Sequence, residues 1–249
     1  MRTLGIDLSA SPPRTAAVLI DWSAAGAVAR PPILGCTDEQ LLDLISGLEE
    51  EDQAGVDCPF GWPTAFVAAM AAHAAPHPTW PGRDADGADD LRALRYRRTD
   101  LIVAGHAPRH PLSVSFDRLG AVAARWARLQ AVLAHRGHPV DRTGSGRVAE
   151  VYPAAARMQW GLRLGTVDEL EAAASWLRMP EAARRVYAAS RDAYDALIAA
   201  LVAKAIRSRL TTWPTADDAR LAQIEGWIHV PVSGALSCLA APAAAPSSD

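Results

Sequence analysis

Four aspartates stand where their carboxylates could act together. Asp7 ends the apolar stretch TLGID and Asp57 ends the stretch AGVD, while Asp192 and Asp195 lie close together in SRDAYDAL. If the two stretches form adjacent parallel strands, Asp7 and Asp57 come to lie side by side at one edge of the sheet. Crowded carboxylates repel each other, so one of them takes up a proton unless a cation lies between them.

The second pair of aspartates belongs to a predicted helix near residues 181–209. Three residues advance roughly 300° around a helix, so Asp192 and Asp195 lie on adjacent parts of one face. From Asp195 this face continues through Ile198 and Val202, which are apolar. Asp195 therefore points toward the core, where an unpaired carboxylate is costly and needs a compensating charge, either a metal ion or a buried arginine. Asp192 either approaches the same ion, pairs with Arg191 or is a solvated acid of the first turn.

Together the four carboxylates offer the chemistry that Mg²⁺ or Mn²⁺ prefers, because both ions favour oxygen ligands. Two such ions can hold the attacking and the leaving oxygen of a phosphodiester. We therefore expect a site for two ions at these aspartates. Glu150, in the predicted strand RVAEVY, either faces the same site or pairs with a nearby arginine.

The elements that must position these acids alternate between strand and helix. TLGIDLSA, RTAAVLIDW and AVARPPILG are typical of strands, the last an edge strand because of its prolines. TDEQLLDLISGLEEED predicts a helix, with Thr37 as N-cap and Gln40 in the capping-box position. QAGVDCPFGWP predicts a fourth strand. This order predicts an α/β fold.

Further along the chain, TAFVAAMAAHAA and DRLGAVAARWARLQAVLAHRG predict helices, the second ended by Gly137, and PHPTWPGRDADGADD predicts a loop. EGWIHVPV is a last short strand or a packed segment. We expect one domain over residues 1–238, with a helical insertion at about 64–140 after the fourth strand. Residues 239–249 predict a disordered tail.

Composition narrows the class of protein. Half of the 249 residues are hydrophobic, which suffices for one substantial core. No apolar run approaches the roughly 20 residues of a membrane span, and the N-terminus lacks the apolar stretch of a signal peptide. Cys36, Cys58 and Cys238 are odd in number and have no metal-ligand spacing, which favours a reduced, cytoplasmic protein.

Positive charge is concentrated in the middle of the chain. Residues 91–163 contain 13 arginines against four acidic residues. Such a block either forms a basic face for the phosphates of a nucleic acid or is an ordinary solvated surface. Within it, the motif RYRRTD supplies Arg95, Arg97 and Arg98 as candidate substrate-binding residues, although Arg98 and Asp100 could instead form a local ion pair.

Six motifs of the sequence resemble, in their order, those of a family of predicted nucleases catalogued as domain of unknown function four hundred and twenty-nine. They are LGIDLSA, AGVDCPFGWP, RYRRTD, EVYPAA, DAYDALIAALVA and EGWIHVP. The resemblance covers about residues 2–231 and implies a ribonuclease-H-like fold, a mixed sheet flanked by helices. The helix motif is also similar to that of Holliday-junction resolvases of the RuvC type. Those enzymes place a first-strand Asp, a fourth-strand Glu and two helix Asp residues around two metal ions.

By this resemblance Asp7 is the first-strand acid, and Asp192 and Asp195 are the helix pair. Asp57 occupies the fourth-strand position, where the resolvases have Glu, and either Asp57 or Glu150 would complete the second metal site. The resemblance implies a metal-dependent nuclease that hydrolyses phosphodiester bonds in DNA or RNA with two Mg²⁺ or Mn²⁺ ions.

Two other classes of protein stay open. A sugar-kinase or actin-like ATPase also begins with a strand Asp, but that fold duplicates its unit and uses glycine-rich phosphate loops. Neither half of this sequence repeats the other, and VDCPFGWP lacks the needed Gly-Xaa-Gly. A non-catalytic nucleic-acid-binding or interaction module would keep the fold without depending on metal.

Overall fold

A computed structural model gives the architecture and describes residues 1–80, 88–107 and 111–240. Within those ranges the chain forms one mixed sheet with helices on both faces. The strands are β1 Arg2–Asp7, β2 Ala16–Ser23, β3 Gly26–Ala29, β4 Ile33–Leu34, β5 Gln53–Asp57, β6 Val148–Val151, β7 Leu177–Arg178 and β8 Ile228–His229. The helices are α1 Asp38–Ser46, α2 Thr64–His73, α3 Ala88–Arg95, α4 Arg98–Val103, α5 Gly120–His135, α6 Pro153–Gln159, α7 Val167–Ala173, α8 Glu181–Ala189, α9 Arg191–Arg207 and α10 Ala219–Glu225. Short 3₁₀ turns lie at Pro12–Arg14 and Ala235–Cys238.

The order of strands across the sheet is β7-β3-β2-β1-β5-β6-β8, with β4 paired to β2. β1 is antiparallel to β2 and parallel to β5, and β6 and β8 continue in the parallel direction. Asp7 and Asp57 are register partners at the carboxyl ends of β1 and β5. The predicted α/β class and the predicted parallel adjacency of these two strands are therefore confirmed.

Alternation of side chains along the strands separates two apolar cores. On one face, Val18 and Val151 pack with α9. On the other face, Leu4 and Val56 pack with residues of α1 and α5. Side chains two residues apart on a strand share a face. Asp7 lies two residues after Gly5 and Asp57 two residues after Gly55, so both carboxylates point to the face of the sheet that α9 covers.

Two glycines allow α9 to approach the sheet closely. A Cβ at Gly5 would overlap the backbone carbonyl oxygen of Ala196, and a Cβ at Gly55 would lie 2.6 Å from that of Ala199. The helix residues at this contact are mostly alanines, so the backbone of α9 lies almost in contact with the backbone of β1 and β5. This contact holds the N-terminal part of α9 over the sheet edge where β1 and β5 end.

The region before α9 differs from the prediction of a single helix at 181–209. Ser190 has extended backbone angles (φ −120°, ψ 119°), which separate α8 from α9. Its hydroxyl accepts a hydrogen bond from the N–H of Ala193 at 3.2 Å and caps α9. The single-helix prediction is wrong here because serine is a better N-cap than interior helix residue.

Other predicted elements agree with the structure to different degrees. The capping box of Thr37 and Gln40 and the stop at Gly137 (φ 83°) are confirmed. The expected edge strand AVARPPILG is divided into β3 and β4, because its two prolines donate no backbone hydrogen bonds. α6 and α7 were not predicted.

Between β5 and β6 the described residues form α2, α3, α4 and α5, in the stretch where the sequence predicts a helical insertion. Part of the predicted loop, residues 81–87, and the predicted tail from residue 241 on lie outside the described residues. In the ranges that are described, none of the helices combines the length and the apolar character that a membrane span requires.

Gly5→Ala tests the contact between α9 and β1. The added methyl group would overlap backbone, which cannot move without displacing the helix, so we expect the free energy of unfolding to fall by about 3 kcal/mol or more. Urea denaturation measures this loss. Gly105→Ala is the matched control, because its new Cβ would meet its nearest atom at 3.9 Å. Equal stability of the two variants would contradict the close packing of α9.

Candidate active site

Asp7 and Asp57 form the centre of the candidate active site. They are the last residues of β1 and β5 and face each other across adjacent strands, which lie about 4.8 Å apart. Both side chains point to the face of the sheet that α9 covers, and α9 carries Asp192 and Asp195 in its first turns. The topology thus brings the strand acids and the helix acids to the same edge of the sheet, as the sequence predicts.

The electrostatic environment of Asp7 reflects this crowding. Burial raises the pKa of Asp7 to about 7, and the negative charges of Asp195 and Asp192 act in the same direction. The positive charges of Arg14 and Arg191 oppose the rise without cancelling it. Asp7 thus carries a proton for part of the time at neutral pH, unless a cation replaces that proton.

Asp57 is shifted in the same way. Burial raises the pKa of Asp57 well above its usual range, and the charges of Asp7, Asp195 and Glu150 add to the effect. Arg157 is the cation that opposes it. Two buried carboxylates whose pKa values are raised by burial and by neighbouring acids are not both ionised without a compensating charge, so this pair is a place where a cation would be stabilised.

Two arginines hold Asp195 in the structure. The Nη1 of Arg157 donates a hydrogen bond to Oδ1 of Asp195, and the Nε of Arg191 donates to Oδ2 at 2.8 Å. The Asp195 side chain is 18% exposed and that of Arg157 is 12% exposed. Of the two compensating charges that the sequence left open for Asp195, a metal ion or an arginine, the structure shows arginines.

Glu150 belongs to a different cluster from the aspartates. It is the register partner of Val56, one residue before Asp57, so its side chain points to the opposite face of the sheet. Its Oε1 and Oε2 accept hydrogen bonds from Arg97 at 2.7 and 2.9 Å, and Oε2 also accepts one from the N–H of Phe60. Of the two interpretations of Glu150, the structure therefore shows the arginine pair and not the metal ligand.

Arg97 is the centre of that buried cluster. Its side chain is 2% exposed, and besides Glu150 it binds both carboxylate oxygens of Asp100 and the backbone carbonyl of Glu225. Burial alone would lower the pKa of Arg97, but the carboxylates of Asp100 and Glu150 raise it. Because its donors are occupied by protein groups, the predicted role of Arg97 in substrate binding does not fit, and its contacts tie α4 and α10 to β6.

The other two arginines of this motif lie at the surface. Arg98 is half exposed and pairs with Asp218 at 2.8 Å, so the predicted ion pair of Arg98 with Asp100 is wrong. The guanidinium of Arg95 lies 5.4 Å from the centre of the Tyr96 ring. Arg95 and Arg98 stay candidates for a peripheral contact with substrate.

Many arginines of the block 91–163 are engaged by neighbouring elements. Arg125 and Arg128 bind Asp38, Arg136 binds Glu39 and Asp43, and Arg142 and Arg147 donate to backbone carbonyls of Ile224 and Leu48. These pairs join the helical segment to the rest of the fold. They favour a structural role for much of the block over one continuous phosphate-binding face.

A cavity of about 250 Å³ opens beside the strand ends. Its walls are largely apolar and include Leu8, Pro59 and Leu112. Its charged lining consists of Asp7 and Asp57 together with the buried cluster of Arg97, Asp100 and Glu150. A substrate that reaches the two aspartates through this cavity would be partly desolvated by its apolar walls.

Within the described ranges, no three His, Cys, Asp or Glu side chains are arranged as a ready set of metal ligands. The carboxylate of Asp195 faces arginines, and that of Glu150 faces Arg97. Asp7 and Asp57 still fit a divalent ion, because they are adjacent oxygen donors whose pKa values are raised by burial and by nearby carboxylates. Asp192 and Asp195 lie close enough to add to that charge.

The sequence left open an arginine partner for Asp195 but did not identify it. The pair of Arg191 and Asp195 has a signal, since residues four apart on a helix meet on its surface. The pair of Arg157 and Asp195 has no local signal, because it depends on how α6 packs against α9. Arg14, in the 3₁₀ turn after β1, likewise reaches Asp7 through the tertiary fold.

The comparison with protein families agrees with the motifs. The profile of the family described as "Protein of unknown function (DUF429)" matches residues 5–219, and the chain belongs to this family. The resemblance to a family of unknown function is thereby confirmed, while the nuclease activity implied by it stays a prediction. No curated protein and no solved structure shows significant similarity to the chain.

Arg97→Met tests whether this arginine is structural. The substitution would leave Glu150 and Asp100 as buried carboxylates without their cation, so we expect the free energy of unfolding to fall by about 3–5 kcal/mol. Arg98→Met is the control, because an exposed ion pair contributes about 1 kcal/mol or less. Chemical denaturation measures both. A stable Arg97→Met variant would show that the buried cluster is not needed for the fold.

Asp7→Asn tests the crowding of the acids through pH. The folded protein keeps the Asp7 proton up to about pH 7, whereas the unfolded chain loses it near pH 4, so the free energy of unfolding falls as pH rises between these values. Asp7→Asn stays neutral and should be more stable than the wild type by about 2 kcal/mol at pH 8, with little difference near pH 4.

Thermal or urea unfolding in the presence of a chelator measures this difference. Asp217→Asn, which removes a charge from an exposed side chain, is the control. An Asp7→Asn variant that is less stable than the wild type at pH 8 would contradict the raised pKa.

Proposed function

We propose that this member of the DUF429 family is a metal-dependent nuclease that hydrolyses phosphodiester bonds in DNA or RNA. The observation that carries the proposal is the pair Asp7 and Asp57, side by side at the ends of two parallel strands, with pKa values raised by burial and by neighbouring carboxylates. The negative charges of Asp192 and Asp195 act on the same point.

The architecture supports the ribonuclease-H-like fold that the resemblance implies. β1 lies between an antiparallel neighbour and a parallel one, and helices cover both faces of the mixed sheet. The candidate acids occupy the first strand, the next parallel strand and the late helix α9. The resemblance assigns the strand acids to the first and fourth strands, whereas Asp57 ends β5, the fifth strand, because the expected third strand is divided into β3 and β4.

Asp7 and Asp57, together with Asp192 and Asp195, would hold the two Mg²⁺ or Mn²⁺ ions of the proposed site. Such ions supply a water that is nucleophilic at neutral pH and neutralise the charge on the phosphate. The chain itself fixes the carboxylates on rigid strand ends, and its apolar cavity limits the access of bulk water. Cys36, Cys58 and Cys238 are unpaired, which supports the proposed cytoplasmic location.

One observation favours a second candidate function. Asp195 is already neutralised by Arg157 and Arg191, as it would be in a nucleic-acid-binding or interaction module that keeps the fold without catalysis. Such a module would bind nucleic acid equally well with and without divalent ions. Metal dependence therefore separates the two candidates.

Asp7→Asn is the test of the proposed nuclease. The substitution removes a ligand from the central pair, so we expect it to abolish cleavage of labelled DNA or RNA in Mg²⁺ or Mn²⁺ and to weaken Mn²⁺ binding measured by calorimetry, while the protein stays folded. Asp217→Asn is the control for the change in net charge. Full cleavage by Asp7→Asn would exclude the proposed site, and a wild-type protein that neither binds Mn²⁺ nor cleaves would favour the non-catalytic module.

A further inference from the structure

The carboxylate of Asp195 brings together two guanidinium groups from different elements. Arg157 comes from α6 and Arg191 from the first residue of α9. Arg157 is largely buried at 12% exposure, while Arg191 is 54% exposed. Each arginine uses a different oxygen of Asp195, so the two are held side by side by one acidic residue.

Tyr194 fixes the position of this pair. Both guanidinium groups lie over its ring, at 5.9 Å for Arg157 and 5.8 Å for Arg191 from the ring centre. The ring is buried, and its hydroxyl donates a hydrogen bond to the backbone carbonyl of Thr166 at 3.2 Å. Each guanidinium group thus has a cation–π contact with Tyr194 in addition to its bond to Asp195.

Space is present next to Arg191, the more exposed of the two arginines. A second cavity, of about 430 Å³, is lined by Arg191, Tyr194, Ser190 and Thr166. Gly165 borders the same place, since a Cβ there would lie 3.3 Å from Nη1 of Arg191 and 3.7 Å from Nε of Arg157. The absence of a side chain at residue 165 leaves the guanidinium groups approachable from this side.

The same arginines face the central acids. Arg191 lowers the pKa of Asp7, and Arg157 lowers that of Asp57, so both cations lie within electrostatic range of the point where a phosphodiester would react. A guanidinium group binds phosphate with the same forked geometry with which it binds carboxylate. A phosphate oxygen can therefore take the place of an Asp195 oxygen.

We propose that Arg157 and Arg191 bind a phosphate group of the nucleic-acid substrate, and that Asp195 holds them in position until the substrate arrives. This inference rests on the proposed function for its substrate class. When the phosphate becomes the partner of the two arginines, the Asp195 carboxylate is released toward Asp7 and Asp57. Asp195 is thus a positioning residue in the free protein and an additional acid of the site in the complex.

The test measures binding of a fluorescein-labelled single-stranded DNA by anisotropy, in a chelator and at fixed ionic strength, so that it does not depend on metal or cleavage. Asp195→Asn removes the competing carboxylate and should tighten binding by about fivefold, the equivalent of one weak ion pair. Arg191→Gln in the wild-type background should weaken binding, and Asp195→Asn combined with Arg191→Gln should lose the gain. Arg157→Gln should act like Arg191→Gln.

Asp38→Asn is the matched control, because Asp38 also holds two arginines, Arg125 and Arg128, and its loss changes the net charge equally. If Asp38→Asn and Asp195→Asn tighten DNA binding equally, the effect is one of net charge, and the inference is overturned. Unchanged DNA binding in Asp195→Asn would overturn it as well. If the Arg157 variant does not fold, the half-exposed Arg191 decides alone. Tightening that is specific to Asp195, in a protein without metal-dependent cleavage, would support the phosphate site and reject the proposed nuclease.

Discussion

The contact between α9 and the glycines of β1 and β5 is the constraint on which the candidate site depends. Because Gly5 and Gly55 have no Cβ, the alanines of α9 reach the backbone of the sheet, and the helix cannot be raised by a side chain. The strand acids lie two residues beyond these glycines on the same face, and the helix acids lie one turn before the contact. A larger residue at either glycine would separate the two pairs of acids.

The acidic residues of the structure are compensated in two different ways. Glu150 is paired with Arg97, both 2% exposed, and a second carboxylate and a backbone carbonyl complete that network. Such a cluster fixes the geometry of α4, β6 and α10, and its charged groups bind one another where they line the cavity. Asp195 is paired with two arginines that are partly exposed, one of which, Arg191, lines a cavity, so its partners can change. Asp7 and Asp57 have no cation in direct contact among the described ion pairs.

The sequence predicts the centre of the site because it depends on local pattern and on one rule of topology. An aspartate that ends an apolar strand is visible in the chain, and the carboxyl ends of parallel strands meet at one edge. The face of Glu150 could not be predicted, because a shift of one residue in register exchanges the two faces of a strand. The pair of Arg157 with Asp195 depends on the packing of α6 against α9, and residues 38 apart carry no periodic signal.

Under the proposed function, binding of cation and binding of phosphate are linked through Asp195. In the free protein this carboxylate neutralises two arginines, and the strand acids are left with an excess of negative charge that a proton relieves. A phosphate at the arginines would release Asp195 to the acids and so increase their attraction for a cation. By thermodynamic reciprocity, a cation that attracts Asp195 would increase the affinity of the two arginines for phosphate by the same factor. A single exchangeable carboxylate on α9 thus suffices to make each ligand favour the other, without any movement of the sheet.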